Sequence, residues 1–437
     1  MDEKLQNNHN KKQKIVLMHF SGPPMISGVD ILIKDQARLF RHFGYKVDII
    51  AGIARQFRKD IPVHIIRRIN PKHPLVFRVR QELEKGIVSP VFKKLETSLY
   101  KSVKKYLWEN HIGIVILHNV MTRHYNLALT SALAELIQDL PQIKFYAWVH
   151  NISCFDDPYF GLNPKLKKIH PWKVLLTRQS NLTYLCISNY LKKNLLGSFG
   201  QDGIKKIYII PNLHDIPKFL GLTPAMRAFY DLIDGRQSDL IACLPVRAVP
   251  RKNLELAVEI AREIVARGIK FKLILTANID YKRVENLQYY NKIKNMVATY
   301  KLTGNIFFLE EYFQKYFTTV QPKKPKPGIP IPEVYLISDF LLMTSVIEEF
   351  GLPILEAGLM RCPIFASDIP VFREIGTTNI NYFSLSERPG KIAEFILAKM
   401  KSMPQAYFYR KVINKYSLHG MFRDAIIPLI EGKSLAR

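Results

Sequence analysis

The chain has little of what would tie it to a simple structural class. Its 437 residues hold four cysteines, Cys154, Cys186, Cys243 and Cys362, scattered without a C-x-x-C pair. That argues against a disulfide framework or a zinc site and fits a reducing compartment. No run reaches the ~18 apolar residues of a membrane-crossing helix, and the polar, charged segment 1–14 does not read as a signal peptide. The protein is therefore expected to be soluble and cytoplasmic. No repeat of solenoid period occurs, nor any helix-turn-helix, zinc-finger or RRM-type motif.

Acidic residues are also scarce. Against 64 Lys and Arg stand 37 Asp and Glu, a formal charge of +27. Cations gather in 55–68, 78–105, 165–173 and 323–326. Such an excess keeps a surface soluble through self-repulsion, or it serves an anionic partner. Without a nucleic-acid motif, peripheral contact with an anionic membrane is favoured over specific nucleic-acid binding.

What is present is alternation. Short β-branched runs alternate with amphipathic helical stretches, the pattern of parallel sheets built from βαβ units. Strands are expected at 15–18, 47–50, 114–117, 145–149, 184–187 and 207–210, then at 240–246, 271–276, 306–309, 340–344 and 364–366. The regularity lapses at 216–238, rich in Pro and Gly, which reads as a linker. The expected division is a tail at 1–14, a first α/β domain at 15–215 and a second at 239–407. A C-terminal helix at about 408–437 is expected to cross back to the first domain. A Pro- and Lys-rich insert is expected at 321–332.

The most informative segment is Glu348-Glu349-Phe350-Gly351-Leu352-Pro353-Ile354-Leu355-Glu356. It follows an apolar strand candidate and opens a short helix. Proline at the first helical turn is pre-set for helix, and glycine lets backbone pass close to a ligand. The free N–H groups of a helix start suit an electron-rich ligand. Glu348 then lies on the loop and Glu356 in the first helical turn. At the head of the second domain, Arg247 ends a strand and Lys252 precedes a helix. Fixed cations at such a rim suit a departing diphosphate, whose added charge must be absorbed by cations or a metal. No D-x-D pattern is present; Asp156-Asp157 and Asp231-x-x-Asp234 fall in irregular segments. Chemistry without a metal is the expectation.

Arg247, Lys252, Glu348 and Glu356, in this order and spacing, resemble the retaining GT-B glycosyltransferases of family 4. Ser27-Gly28-Val29-Asp30 is similar to that family's Gly-Gly-Val-Glu loop, and Trp148-Val149-His150-Asn151 to its strand ending in His-Asp. Ile187-Ser188, 210–215, 366–370 and 373–375 follow the pattern too. The resemblance implies two Rossmann-like, doubly wound α/β domains facing each other across a cleft, the first for the acceptor and the second for a nucleotide sugar. It implies transfer of a hexose from a UDP- or GDP-linked donor to a glycan, lipid or small polyol with retained configuration, and no cofactor beyond that co-substrate. By the same resemblance Arg247 and Lys252 hold the diphosphate, and Glu356 the ribose. Glu348 and the backbone N–H groups of Phe350, Gly351 and Leu352 face the sugar, Gly28 admits the phosphates, and His150 lies beside the anomeric carbon. No covalent nucleophile is implied. The polar stretch 117–125 is the candidate acceptor side.

There are departures. Glu349 and Asn253 stand where the family has glycine, Asn151 where it has aspartate, and no Gly-x-Gly follows the strand at 271–276. The rival readings are a sugar phosphorylase or nucleotide-sugar epimerase of the same architecture, and a non-catalytic basic protein binding membrane or nucleic acid.

Overall fold

The computed structural model describes residues 12–24, 27–153, 168–199, 207–277, 283–320 and 328–433. The Asp156-Asp157 pair, Cys154 and the cations at 323–326 lie outside them. The chain divides into two compact units, Met1–Asn212 with Met421–Arg437, and Leu213–Gly420.

The first unit is built on seven strands: β1 (Lys14–His19), β2 (Val47–Ala51), β3 (Val63–Ile65), β4 (Ile112–His118), β5 (Lys144–Val149), β6 (Leu182–Cys186) and β7 (Ile207–Ile209). They pair in parallel in the order β3-β2-β1-β4-β5-β6-β7. The second unit carries β8 (Leu240–Leu244), β9 (Phe271–Leu275), β10 (Ile306–Phe308), β11 (Phe340–Met343), β12 (Ile364–Ser367) and β13 (Asn381–Phe383). Their order, again all parallel, is β10-β9-β8-β11-β12-β13.

Both orders run outward from the first strand to one side and then restart on the other, the Rossmann arrangement. Each unit is thus a doubly wound α/β body. The strands read as nearly continuous apolar runs because helices cover the sheets; every residue of β2, β11 and β12 is buried. Ligands in such sheets bind beyond the carboxyl ends of the strands, at the point where the order reverses. Here that point lies between β1 and β4 in one unit and between β8 and β11 in the other.

Two segments differ from the sequence expectation. The stretch 216–238 is part of the second unit's core, where Met226 and Phe229 are fully buried. Its prolines sit in the first turns of helices Ile216–Phe219 and Pro224–Leu232, capped by Asp215 and Thr223, so they start helices rather than break them. The return of the C-terminus begins at Met421 rather than near 408. Helix Pro404–Lys415 stays with the second unit, where the Arg410 guanidinium meets the buried Asp339 carboxylate at 3.0 Å. Beyond it, Phe422 packs on Phe40, and the Tyr45 hydroxyl donates to Glu431 at 2.8 Å.

Candidate functional site

In the second unit the chain leaves β8 through Pro245, Val246 and Arg247, then tightens into a 3-10 turn over Pro250–Lys252. Asn253 closes that turn with φ of 49° and caps helix Leu254–Ala266. Asparagine is among the few residues besides glycine that enter the left-handed region readily, which accounts for its place here. Its carbonyl and that of Lys252 both accept from the Thr344 hydroxyl beyond β11, each at 2.9 Å. Val346 N–H donates to the Arg251 carbonyl at 2.9 Å. The loops after β8 and β11 are therefore stitched together at the switch point.

On this frame Lys252, only 7% exposed, forms an ion pair with Glu348. Arg251 joins it, its Nη1 3.3 Å from the other Glu348 oxygen. Burial works to raise the Glu348 pKa, but the hydrogen bond and charge of Lys252, with Arg251 beside it, hold it below the usual carboxylate range. The carboxylate is thus ionised and keeps two cations at the sheet's rim. Lys252 and Glu348 are brought into direct contact. Arg251, overlooked in the sequence, belongs to the same group, and its signal was the adjacent Arg-Lys pair before a helix.

Gly351 follows with φ of +88°, and a Cβ there would lie 2.8 Å from the Phe372 ring. Glycine is required on both counts. The turn it makes starts helix Leu352–Leu359 and leaves Phe350 and Leu352 exposed, at 52% and 60%. Glu356 is half-buried and accepts from the Tyr335 hydroxyl at 2.9 Å. Tyr335 was not anticipated. Arg247 is exposed and lines a pocket of about 450 Å³ together with Thr276 and Glu310. Arg247 and Glu356 therefore have neighbours of their own rather than joining the Lys252–Glu348 pair.

In the first unit the switch point gathers three histidines. His19 ends β1, His118 ends β4, and His150 follows β5. The rings of His118 and His150 lie nearly parallel with centroids 5.4 Å apart, and Trp148 stacks on His118. His118 Nδ1 is 3.1 Å from His150 Nε2, and His118 Nε2 is buried without a hydrogen-bond partner. One proton serves the shared contact. A buried N–H without an acceptor is costly, so the favoured arrangement has His118 donating from Nδ1. Burial, with the His19 charge adding to it, pushes the His150 pKa down to about 4 against an opposing hydrogen bond to Asn212. His118 is driven well below the usual histidine value by burial and by the other two rings. His150 is a neutral, anchored ring.

Asn119, with φ of 60°, accepts from the N–H groups of His150 and Asn151 at 2.9 and 3.2 Å, fixing where β5 ends. On the other side of the switch point Ser27 caps helix Gly28–His42 by accepting from the Asp30 N–H. Asp30 is buried; burial alone would raise its pKa, but His19, Ser27 and Ser21 lower it. A Cβ on Gly28 would meet nothing within 4 Å, so packing does not demand glycine there.

No protein-family model matches the chain. Over 294 residues it is 23% identical to the mannosylglucosylglycerate synthase of Petrotoga mobilis, a match covering 65% of this chain and 66% of the synthase. Over 66 residues it is 41% identical to the serotype-specific mannosyltransferase WbdA of Escherichia coli, covering 15% of this chain and 8% of that protein. The chain is a relative of glycosyltransferases. It spans just under two thirds of the first relative's length and a small part of the second's. Among solved structures it is similar to a glycosyltransferase from Rickettsia africae, at 18% identity and a TM-score of 0.36, covering 97% of this chain and all of that one. The lipopolysaccharide glycosyltransferase WaaG aligns at 12% identity and 0.34, covering 94% and 99%. These structural likenesses are too slight to bear on function.

Proposed function

We propose that the protein is a retaining hexosyltransferase that moves a sugar from a UDP- or GDP-linked donor to a glycan, lipid or small polyol. The observation that carries this reading is the ion pair of Glu348 with the buried Lys252, joined by Arg251, beyond the switch-point strands and just before the Gly351 turn. A diphosphate leaving group needs cations fixed in advance, since they stabilise its developing charge without reorganising. Glu348 holds Lys252 in place for that task. Arg247, at the end of the same loop, supplies a further cation.

In this reading the backbone N–H groups of Phe350, Gly351 and Leu352 and the Glu348 carboxylate meet the donor sugar, and Glu356, oriented by Tyr335, takes the ribose. Gly28 leaves room for the phosphates. The first unit receives the acceptor, and His150 serves as a neutral hydrogen-bonding group toward the sugar rather than as a strong base. The chemistry needs no metal and no cofactor besides the donor. Two relatives named for mannosyl products or transfer support a hexose as the group moved. The test is a screen of nucleotide sugars for hydrolysis and transfer, with and without EDTA. Turnover of one donor that survives chelation is the expected result. Release of a sugar phosphate without any nucleotide would instead identify a phosphorylase.

The enzyme is proposed to work in the cytoplasm at an anionic membrane face. Helix Pro74–Glu84 and the turn after it expose Phe77, Ile87 and Val88 among Arg78 and Lys85, an apolar and cationic mixture suited to lipid headgroups. None of the described helices is long and apolar enough to cross a membrane. Failure to sediment with anionic vesicles at low salt would remove this part of the proposal.

A further inference from the structure

At the opposite end of β8 from Arg247, the second unit has a cavity of about 550 Å³. It lies between helices Pro389–Lys401 and Pro404–Lys415 and the residues that lead into β8 and β9. Its interior is apolar: Leu240, Ile269, Leu397 and Ala406 are half-buried there, and Met400 is buried. Its rim is cationic, with Lys401, Lys411 and Lys415 all exposed. None of the three makes an ion pair or side-chain hydrogen bond among the described residues. Tyr407, Lys411 and Lys415 follow at intervals of four, so one helix face presents a ring, 67% exposed, beside two ammonium groups. Lys401 and Lys415 fall in the last turns of their helices, where a cation suits the dipole. Lys411 stands a turn earlier, and the dipole does not account for it. Asp239 brings one carboxylate to the lining, and it accepts from the Lys270 N–H at 2.9 Å. The Arg410 guanidinium, also in the lining, is taken up by Asp339.

We propose that this cavity binds a single-chain amphiphile with an acidic head, its chain among the apolar residues and its head among the three lysines. Apolar walls alone would accept any hydrocarbon, and lysines alone any anion. Their juxtaposition selects a molecule that is both. Lysine suits such a rim because its stem covers apolar surface while its ammonium stays in water. Burial of the chain supplies the affinity, and the charges select the head. A group the size of a water takes ~30 Å³, so the cavity holds about eighteen of them. That is enough for one chain of about ten carbons with its head, and too little for the two long chains of a bilayer lipid.

Calorimetric titration of the full chain with decanoate, decanol and butyrate, each below the concentration at which it aggregates, tests this. Decanoate is expected to bind at one per chain and about ten-fold more tightly than decanol, since exposed ion pairs are individually weak but three act together. Butyrate, which has the head without the chain, is expected to show no binding. Combining Lys401→Gln, Lys411→Gln and Lys415→Gln is expected to bring decanoate down to the affinity of decanol and to leave decanol unchanged. Ala406→Trp, which fills the cavity, is expected to abolish binding of both. Absence of saturable decanoate binding overturns the proposal, as does decanol or butyrate binding as tightly as decanoate. Equal decanoate affinity in the parent and the triple-lysine variant also overturns it, by placing the amphiphile elsewhere. The three lysines are exposed, so that variant keeps its fold and decides the matter even if Ala406→Trp does not fold.

Discussion

His118 Nδ1 lies 3.1 Å from His150 Nε2, both at the carboxyl ends of neighbouring central strands. The pair is neutral because burial depresses both pKa values, that of His150 to about 4, with His19 adding to the effect on each and His150 adding to it on His118. In the unfolded chain each ring takes its proton near the ordinary value of ~6.5. Between those limits the unfolded state binds more protons than the folded one, so stability falls as pH falls. The histidine contribution is complete above about pH 6.5 and is lost progressively toward pH 4. His118→Phe removes one of the two titrating rings and keeps the stack on Trp148. Its urea midpoint should decline less between pH 7 and pH 5 than that of the parent protein. Equal declines would show that His118 is not held neutral by the fold.

A second prediction concerns the cation at the sheet's rim. Lys252→Met keeps the length and apolar stem of the side chain and removes the charge. Glu348 retains Arg251 at 3.3 Å, so the fold should persist. If Lys252 stabilises the leaving diphosphate, kcat should fall by about 10²–10³, the magnitude seen on removing one fixed electrostatic donor. Glu348→Ala acts differently, because it leaves a buried ammonium without its carboxylate. It should lower stability by about 2–4 kcal/mol in urea titrations as well as activity. A stable, inactive Lys252→Met beside a destabilised Glu348→Ala separates the two roles.

How far these residues were legible in the sequence depends on what each one signals. The central strands announced themselves because both faces are buried, and β-branched runs such as Ile-Val-Ile-Leu in β4 suit little besides a strand covered on both sides. The edge strands β3 and β13 did not. Each has three residues, and Val-His-Ile and Asn-Tyr-Phe carry no continuous apolar run. Segment 216–238 misled because proline marks helix starts as readily as breaks. At the site, Lys252 and Glu348 were legible through spacing. Their direct pairing, and the arrival of Tyr335 at Glu356, were not, since those contacts join segments 96 and 21 residues apart. His118 stood within a stretch already singled out, but only the parallel register of β4 with β5 sets it against His150.

Asn253 offers a test in which two small substitutions diverge. With φ of 49° the residue is left-handed, and its side chain accepts from Leu256 N–H to cap the following helix. Asn253→Gly gives up the cap and relieves the backbone, so the two effects largely cancel and stability should change by less than about 0.5 kcal/mol. Asn253→Ala gives up the cap and keeps the strain. It should cost about 2 kcal/mol in chemical denaturation. If alanine proves as benign as glycine, the turn that presents Lys252 is not held in this conformation.

The last prediction tests what keeps the second unit together away from the site. Asp339 and Arg410 are 3% and 6% exposed, and their contact includes one bond of 3.0 Å and one of 2.5 Å. Asp339 also accepts from Ile241 N–H at 2.6 Å, and Arg410 donates to the Gly235 carbonyl at 2.8 Å. The pair therefore ties helix Pro404–Lys415 to the start of β8 and β11 and to the turn before β8. Exchanging both partners for apolar residues of similar volume can be neutral, because the cost of desolvating two charges disappears with them. Removing one partner strands the other in the core. Arg410→Met alone should cost about 3–5 kcal/mol in urea titrations, and the double variant Arg410→Met with Asp339→Leu should recover part of that loss. The hydrogen bond to Ile241 N–H is lost in the double variant, so recovery should be incomplete. A double variant less stable than Arg410→Met would mean that Asp339 acts chiefly through the backbone of β8, and that the guanidinium is its lesser partner.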